Sequence, residues 1–258
     1  MKSYQKINSE AWDNEVENNN FWTIPLGKEK IKKAKAGNFE IYLTPMKFVK
    51  KEWVSDFKNK KILALACAGG QQAIAFAAAD NDVTVFDISE EQLNQDRETA
   101  EKFNLEIKTI KGDMQDLSVF EDNSFDYIFN PTSSCFVKNV KQVYKECFRV
   151  LKKGGVFLTS VTNPALYLFK EKDVLKNKLK ITYTIPYSDI KSLSEKQLRK
   201  MIEKKDTIEF SHTLEDLVGG LTQEGFSITG FYTDYSGNEL LDSFIHDCYF
   251  GIRCKKIV

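Results

Sequence analysis

The chain lacks any apolar stretch of the roughly 20 residues that a bilayer span needs. Its longest candidate, the Ala-rich segment around residues 62–79, is interrupted by Gly69, Gly70, Gln71 and Gln72. The polar first ten residues lack the apolar core of a secretory leader, so a soluble, cytoplasmic protein with no membrane partner is expected. Five cysteines (Cys67, Cys135, Cys147, Cys248, Cys254) form an odd set without a CxxC pair. That spacing indicates neither a metal site nor a disulfide framework, and reduced, mostly buried thiols are expected. Net charge is absent as well: 37 Lys and Arg balance 37 Asp and Glu, so no global field draws the chain to nucleic acid. Repeats and low-complexity tracts are missing, although residues 15–20 end in three successive Asn, which suits a loop or helix end.

What remains is 258 residues, 42% apolar and 29% charged, enough for one large α/β domain with embellishments. Short apolar runs at residues 61–66, 83–87, 105–110, 125–130 and 155–161 read as buried strands. Helical spacing fills residues 71–79, 90–103 (with Ser89 as N-cap) and 140–151. Strands alternating with helices imply a doubly wound, mostly parallel sheet with right-handed crossovers. After Pro164 the alternation stops. Residues 179–187 and 207–212 look strand-forming, with a charged helical stretch at 194–204 between them. A helix at 214–224 and strands at 226–233 and 244–254 then complete a seven-stranded sheet.

The expected organisation is an N-terminal helical cover (1–60), a core made of 61–164 and 213–258, and an insertion (165–212) over the carboxyl edge of the sheet. Charge follows this division. Lys and Arg outnumber Asp and Glu 12 to 8 in residues 1–60 and 11 to 7 in 165–212, and are outnumbered 11 to 15 in 61–164 and 3 to 7 in 213–258. Solvated charged faces explain this pattern; the sharper expectation is that basic covers bind an anionic substrate.

In an open α/β sheet, ligands sit beyond the carboxyl ends of the strands where the strand order reverses. The first strand runs into Cys67-Ala68-Gly69-Gly70-Gln71-Gln72, whose small residues let a ligand approach and whose following helix offers free N–H groups. A dinucleotide site would need glycines where Ala66, Ala68 and Gln71 stand, and a P-loop would need a Gly-Lys-Ser/Thr that does not follow. Asp87, ending the second strand, suits the two hydroxyls of a ribose. Asp113, after the third strand, suits an adenine amino group. Together they fit an adenosine whose tail lacks phosphate.

Five motifs in order carry a resemblance: Ile62 to Gly70, Val85-Phe86-Asp87-Ile88-Ser89, Gly112-Asp113-Met114, Phe125-Asp126-Tyr127-Ile128 and Arg149-Val150-Leu151-Lys152-Lys153-Gly154-Gly155. With these the chain resembles the class I S-adenosylmethionine-dependent methyltransferases, especially the small-molecule group with a methyltransferase type 11 domain. The resemblance implies S-adenosylmethionine as cofactor. Residues Ala66, Cys67, Ala68, Gly69 and Gly70 would lie along its methionine part, Asp87 with Ile88 at the ribose, Asp113 with Met114 at the adenine, and Asn130 facing the methyl group. The chain departs from the family at Ala64, where an acid is usual, and at Ala66 and Ala68, where glycines are usual. Gln71 and Gln72 are the candidates for polar contacts to the amino-acid tail.

The implied chemistry is in-line methyl transfer to a small molecule, with no covalent enzyme intermediate and a base only where the acceptor must lose a proton. His212 and His246 are the only histidines. His212, at the end of the insertion, is the better-placed base, whereas His246 falls within the last expected strand. Trp12, Trp22 and Tyr42 are candidates for an acceptor pocket or for cation–π contact with a sulfonium, beside the plainer reading as core. Asn130-Pro131-Thr132-Ser133 lacks the second Pro and the aromatic residue of enzymes that methylate nucleic-acid amines. RNA or protein methylation and non-catalytic cofactor binding remain the alternatives.

Overall fold

The computed structural model describes residues 2–258. Seven strands, β1 (Lys61–Leu65), β2 (Asp82–Asp87), β3 (Lys108–Lys111), β4 (Phe125–Asn130), β5 (Leu151–Thr162), β6 (Phe226–Asp234) and β7 (Tyr249–Lys256), form one sheet. Its order is β3-β2-β1-β4-β5-β7-β6. The first five strands are parallel, and β7 runs antiparallel to both its neighbours. The doubly wound, mostly parallel architecture expected from the alternation is the one observed. Its switch point lies between β1 and β4, where the chain returns from the β3 edge.

Both faces of the sheet are covered, which is why its inner strands read as continuous apolar runs. Ile62 and Ala64 pack with Val85 and Phe129 on one face, whereas Leu63 and Leu65 pack with Ile128 and Phe157 on the other, the period-2 alternation of a strand. The first face is covered by α2 (Lys28–Lys35), α3 (Gln72–Ala78) and α4 (Glu90–Lys102), and the second by α5 (Val140–Val150) with a π-helical turn at Glu215–Gly219. Helix α1 (Tyr4–Glu17) buries Ile7 against Leu198, Ile208 and Phe210 in a third, smaller cluster. All five cysteines are buried and free. No helix among the described residues is long and apolar enough to cross a membrane.

Several expectations are corrected. Residues 179–187 and 207–212 are extended but join no strand of the sheet; besides the single bridges Phe169–Ile181 and Ser188–Phe210 they make isolated backbone bonds, such as Phe210 N–H to the Cys135 carbonyl at 2.7 Å. Strand β3 starts three residues late because Leu105 N–H instead closes α4 on the Ala100 carbonyl, at 2.9 Å. The last strand starts at Tyr249: residues Glu239–Asp242 turn as a helix, and the Phe244 and Ile245 N–H groups close its end on the Leu241 carbonyl. His246 therefore lies in an exposed loop, its ring nitrogen 3.6 Å from the Asp247 carboxylate. The N-terminal cover is helical only in part: after α2 the chain crosses to β1 through extended segments and one short 3-10 turn at Lys51–Trp53.

Candidate active site

The turn after β1 has the backbone of a glycine loop built with alanine. Ala66 and Ala68 take φ of 50° and 58°, and Gly70 takes 75°. Two N–H groups of the turn face α4: Gly69 donates to Gln92 Oε1, and Gly70 donates to Asp96 Oδ1 at 2.8 Å. A Cβ on Gly69 would stand 2.3 Å from the Gln92 carbonyl oxygen, so this glycine permits close packing of turn on helix. Gly69 and Gly70 are thus absent from the cavity wall, contrary to expectation, because α4 takes their donors. Cys67 also points inward, its thiol donating to the Phe129 carbonyl at 3.0 Å, and burial pushes its pKa well up.

Ala66, Ala68, Gln71 and Gln72 do border a single cavity of about 620 Å³ at the carboxyl ends of β1 to β5. Asp87 and Ile88 join them from β2, and Asp113 and Met114 from the turn after β3. Asp87 Oδ1 accepts the Ser89 N–H at 2.9 Å, and burial raises its carboxyl to about 6. Asp113 accepts the Gln115 N–H at 2.9 Å, and the Gln115 amide also donates to Tyr4 Oη at 2.7 Å. Gln71 gives its amide N–H to the Trp22 and Ile24 carbonyls at 2.9 and 2.8 Å, so it tethers the N-terminal segment. Gln72 is different: it is buried, and its Oε1 has no hydrogen-bond partner. A buried orphan acceptor on a cavity wall suits a ligand donor such as an ammonium group.

A methyltransferase domain model matches residues 63–159. Over 257 residues, the whole of both chains, the sequence is 46% identical to the uncharacterized methyltransferase YbaJ of Bacillus subtilis strain 168. The chain belongs to the class I S-adenosylmethionine-dependent methyltransferases. Demethylmenaquinone methyltransferase of Staphylococcus aureus is 38% identical over 122 residues, a match confined to 44% of this methyltransferase and 48% of that one. An S-adenosylmethionine-dependent methyltransferase of Mesorhizobium loti shares the fold with a TM-score of 0.60 and 16% identity, over 80% of this chain and 94% of that one.

Residues 131–137 of the matched domain continue the methyltransferase's cavity, and segments outside that domain close it. Helix α1 contributes Tyr4, Asn8 and Trp12; residues 22 and 42–46 contribute Trp22, Tyr42 and Met46; and the insertion contributes Leu166, Tyr167, Phe169, Glu171 and Glu209. Trp12, Trp22 and Tyr42 thus all line the cavity. The cover is stitched to the core: Ser9 Oγ donates to the Ile88 carbonyl at 2.9 Å, and Ser89 Oγ donates to Asp13 Oδ1 at 2.6 Å. Asn8 binds residue 208 as a neighbouring strand would, accepting its N–H at 2.7 Å and donating to its carbonyl at 3.0 Å.

Asn130 and His212 are not in the wall. The Asn130 amide donates to the Leu65 carbonyl at 2.9 Å and to Ser133 Oγ at 2.7 Å, and accepts from Thr159 at 3.2 Å, so it locks the ends of β1, β4 and β5. His212 is buried with Nε2 3.1 Å from the Ser134 carbonyl, and burial lowers its pKa. In their place the structure shows Glu209, whose Oε2 accepts the Tyr167 hydroxyl at 2.8 Å and whose carboxyl burial raises to about 7. Its only sequence signal is an acid lodged between Ile208 and Phe210. The basic covers send no Lys, Arg or His to the cavity wall; its charged residues are Asp87, Asp113, Glu171 and Glu209. That wall offers no cationic side chain to an anionic substrate.

Proposed function

We propose that this enzyme binds S-adenosylmethionine along the β1, β2 and β3 ends of the cavity and methylates a small molecule held under the cover. S-adenosylmethionine supplies an activated methyl group on a sulfonium. In this reading Asp87 accepts from the ribose hydroxyls, Asp113 from the adenine amino group, and Gln72 Oε1 from the ammonium of the amino-acid tail. Gln92 lines the same wall with its amide nitrogen unpartnered, a donor for the tail carboxylate or a sugar oxygen. Trp12 and Phe136, edge to face at 5.3 Å, wall off the acceptor side.

The observation that carries the reading is the convergence of two strand-end carboxylates and an orphan amide oxygen on one cavity. Its volume of about 620 Å³ suits small-molecule sites. An acid-only wall is also the opposite of what a phosphate backbone requires, which favours a small acceptor over RNA. Calorimetry with S-adenosylmethionine tests the donor half: binding is expected, and Asp87→Ala should weaken it about tenfold or more, the usual worth of hydrogen bonds to a charged group. Methyl label passing from the donor into a small metabolite of a cell extract tests the other half. Label found only in RNA or protein, or donor bound with no transfer, would overturn it.

A further inference from the structure

The acceptor side of the cavity holds a group of acids with nothing to neutralise it. Glu209 and Glu171 line the wall, and Asp189 lies behind them, its Oδ2 accepting the Glu209 N–H at 2.6 Å. Around Glu209 stand Tyr167, Tyr187, Tyr249 and Cys135, together with those two acids, and Glu209 forms no ion pair among the described residues. Tyr167, Phe169, Tyr249, Leu166 and Val174 surround this end with aromatic and aliphatic surface. Glu171 is exposed and Asp189 is hydrogen-bonded by Tyr187, but an unpaired carboxylate such as Glu209 inside an apolar chamber is costly unless a ligand cation completes it. Aromatic faces beside it add to the attraction for a cation.

On the methyl-transfer reading above, we infer that the acceptor is a primary or secondary amine on an apolar body, and that Glu209, oriented by Tyr167, takes its proton. The amine enters as an ammonium paired with the carboxylate. One N–H proton passes to a Glu209 carboxylate oxygen, which frees the nitrogen lone pair. That pair forms the bond to the methyl carbon as the carbon–sulfur bond breaks and its electrons stay on sulfur. The product is a methylated ammonium, a neutral thioether and a protonated Glu209, so charge is conserved. A carboxyl that titrates near neutrality suits this exchange, because it is anionic when the amine arrives and able to hold a proton afterwards.

Three molecules of one shape separate the possibilities: benzylamine, benzyl alcohol and benzoate, with binding to the full chain followed by ligand-detected NMR at pH 7.5. Benzylamine should bind about tenfold more tightly than the alcohol, and benzoate more weakly still. Glu209→Gln should erase the preference for the amine while leaving S-adenosylmethionine affinity unchanged and the melting temperature no lower. Tyr167→Phe removes the hydroxyl that favours the anion, so the pH midpoint of benzylamine binding should move upward; this variant also serves if Glu209→Gln fails to fold. Benzoate or benzyl alcohol binding as well as benzylamine, a preference that survives Glu209→Gln, or an unmoved midpoint in Tyr167→Phe would overturn the inference. Donor affinity measured on the same samples keeps the two questions apart, since amine selectivity is read without methyl transfer and donor binding without the amine.

Discussion

Ala68 sits in a conformation that its methyl group disfavours. At φ 58° an L-residue carries a cost of roughly 1–2 kcal/mol. A glycine there would relieve it while adding roughly 0.5–1 kcal/mol of unfolded-state entropy. Ala68→Gly should therefore stabilise the fold slightly, read as a higher denaturant midpoint; a lower midpoint would show that the alanine side chain is needed where it packs. The positions of this turn are legible from the family pattern, and so are Asp87 and Asp113, because strand-end acids stand at fixed spacing. Gln92 and Asp96 are not. Their polar types suggest solvent, yet they share a helix face with Leu93 and Ala100, and both are buried and hold the N–H groups of Gly69 and Gly70.

Gly112 does for the β2–β3 pair what Gly69 does for the first turn. A Cβ on it would lie 2.1 Å from the Phe86 ring, and Phe86 is both cavity lining and the residue before Asp87. Gly112→Ala should cost about 1–3 kcal/mol by overpacking. It should also weaken donor binding, because displacing Phe86 moves the adjoining carboxylate; unchanged calorimetry with S-adenosylmethionine would contradict this. The core elements were legible because a parallel sheet covered on both faces writes continuous apolar runs. Within the insertion the strand expectation fails for a related reason. Runs such as Ile208-Glu209-Phe210 have the composition of a strand, but their apolar side chains are spent on α1 and no open sheet edge receives their backbone. Only tertiary contacts decide such a segment, and those contacts bring Glu209 to the wall.

Among the described residues four carboxyls are held above the usual range by burial: Asp87 to about 6, Glu209 to about 7, Asp96 to about 8, and Asp189. Between the unfolded and folded values the native state binds more protons than the unfolded one, so unfolding free energy falls as pH rises. His212, lowered by burial, acts in the opposite sense, but it is a single group. Acids held low by partners, such as Glu146 beside Arg149 and Asp126 beside Lys152, lose their contribution only as pH drops through the acidic range. The melting temperature should therefore be highest near pH 5 and decline toward pH 8. Asp96→Asn, which keeps an oxygen for the Gly70 N–H, should flatten the decline, and a profile rising from pH 5 to pH 8 would refute this balance.

A chamber whose charged wall residues are all acids also bears on how the site empties. On the amine reading, positively charged donor and ammonium would be drawn in; once the methyl had moved, the spent nucleoside would be neutral at sulfur and the proton on Glu209 would cancel that side chain's pull on the amine. Each turnover would thus loosen the grip that began it, and exhausted carrier would be held less firmly than fresh.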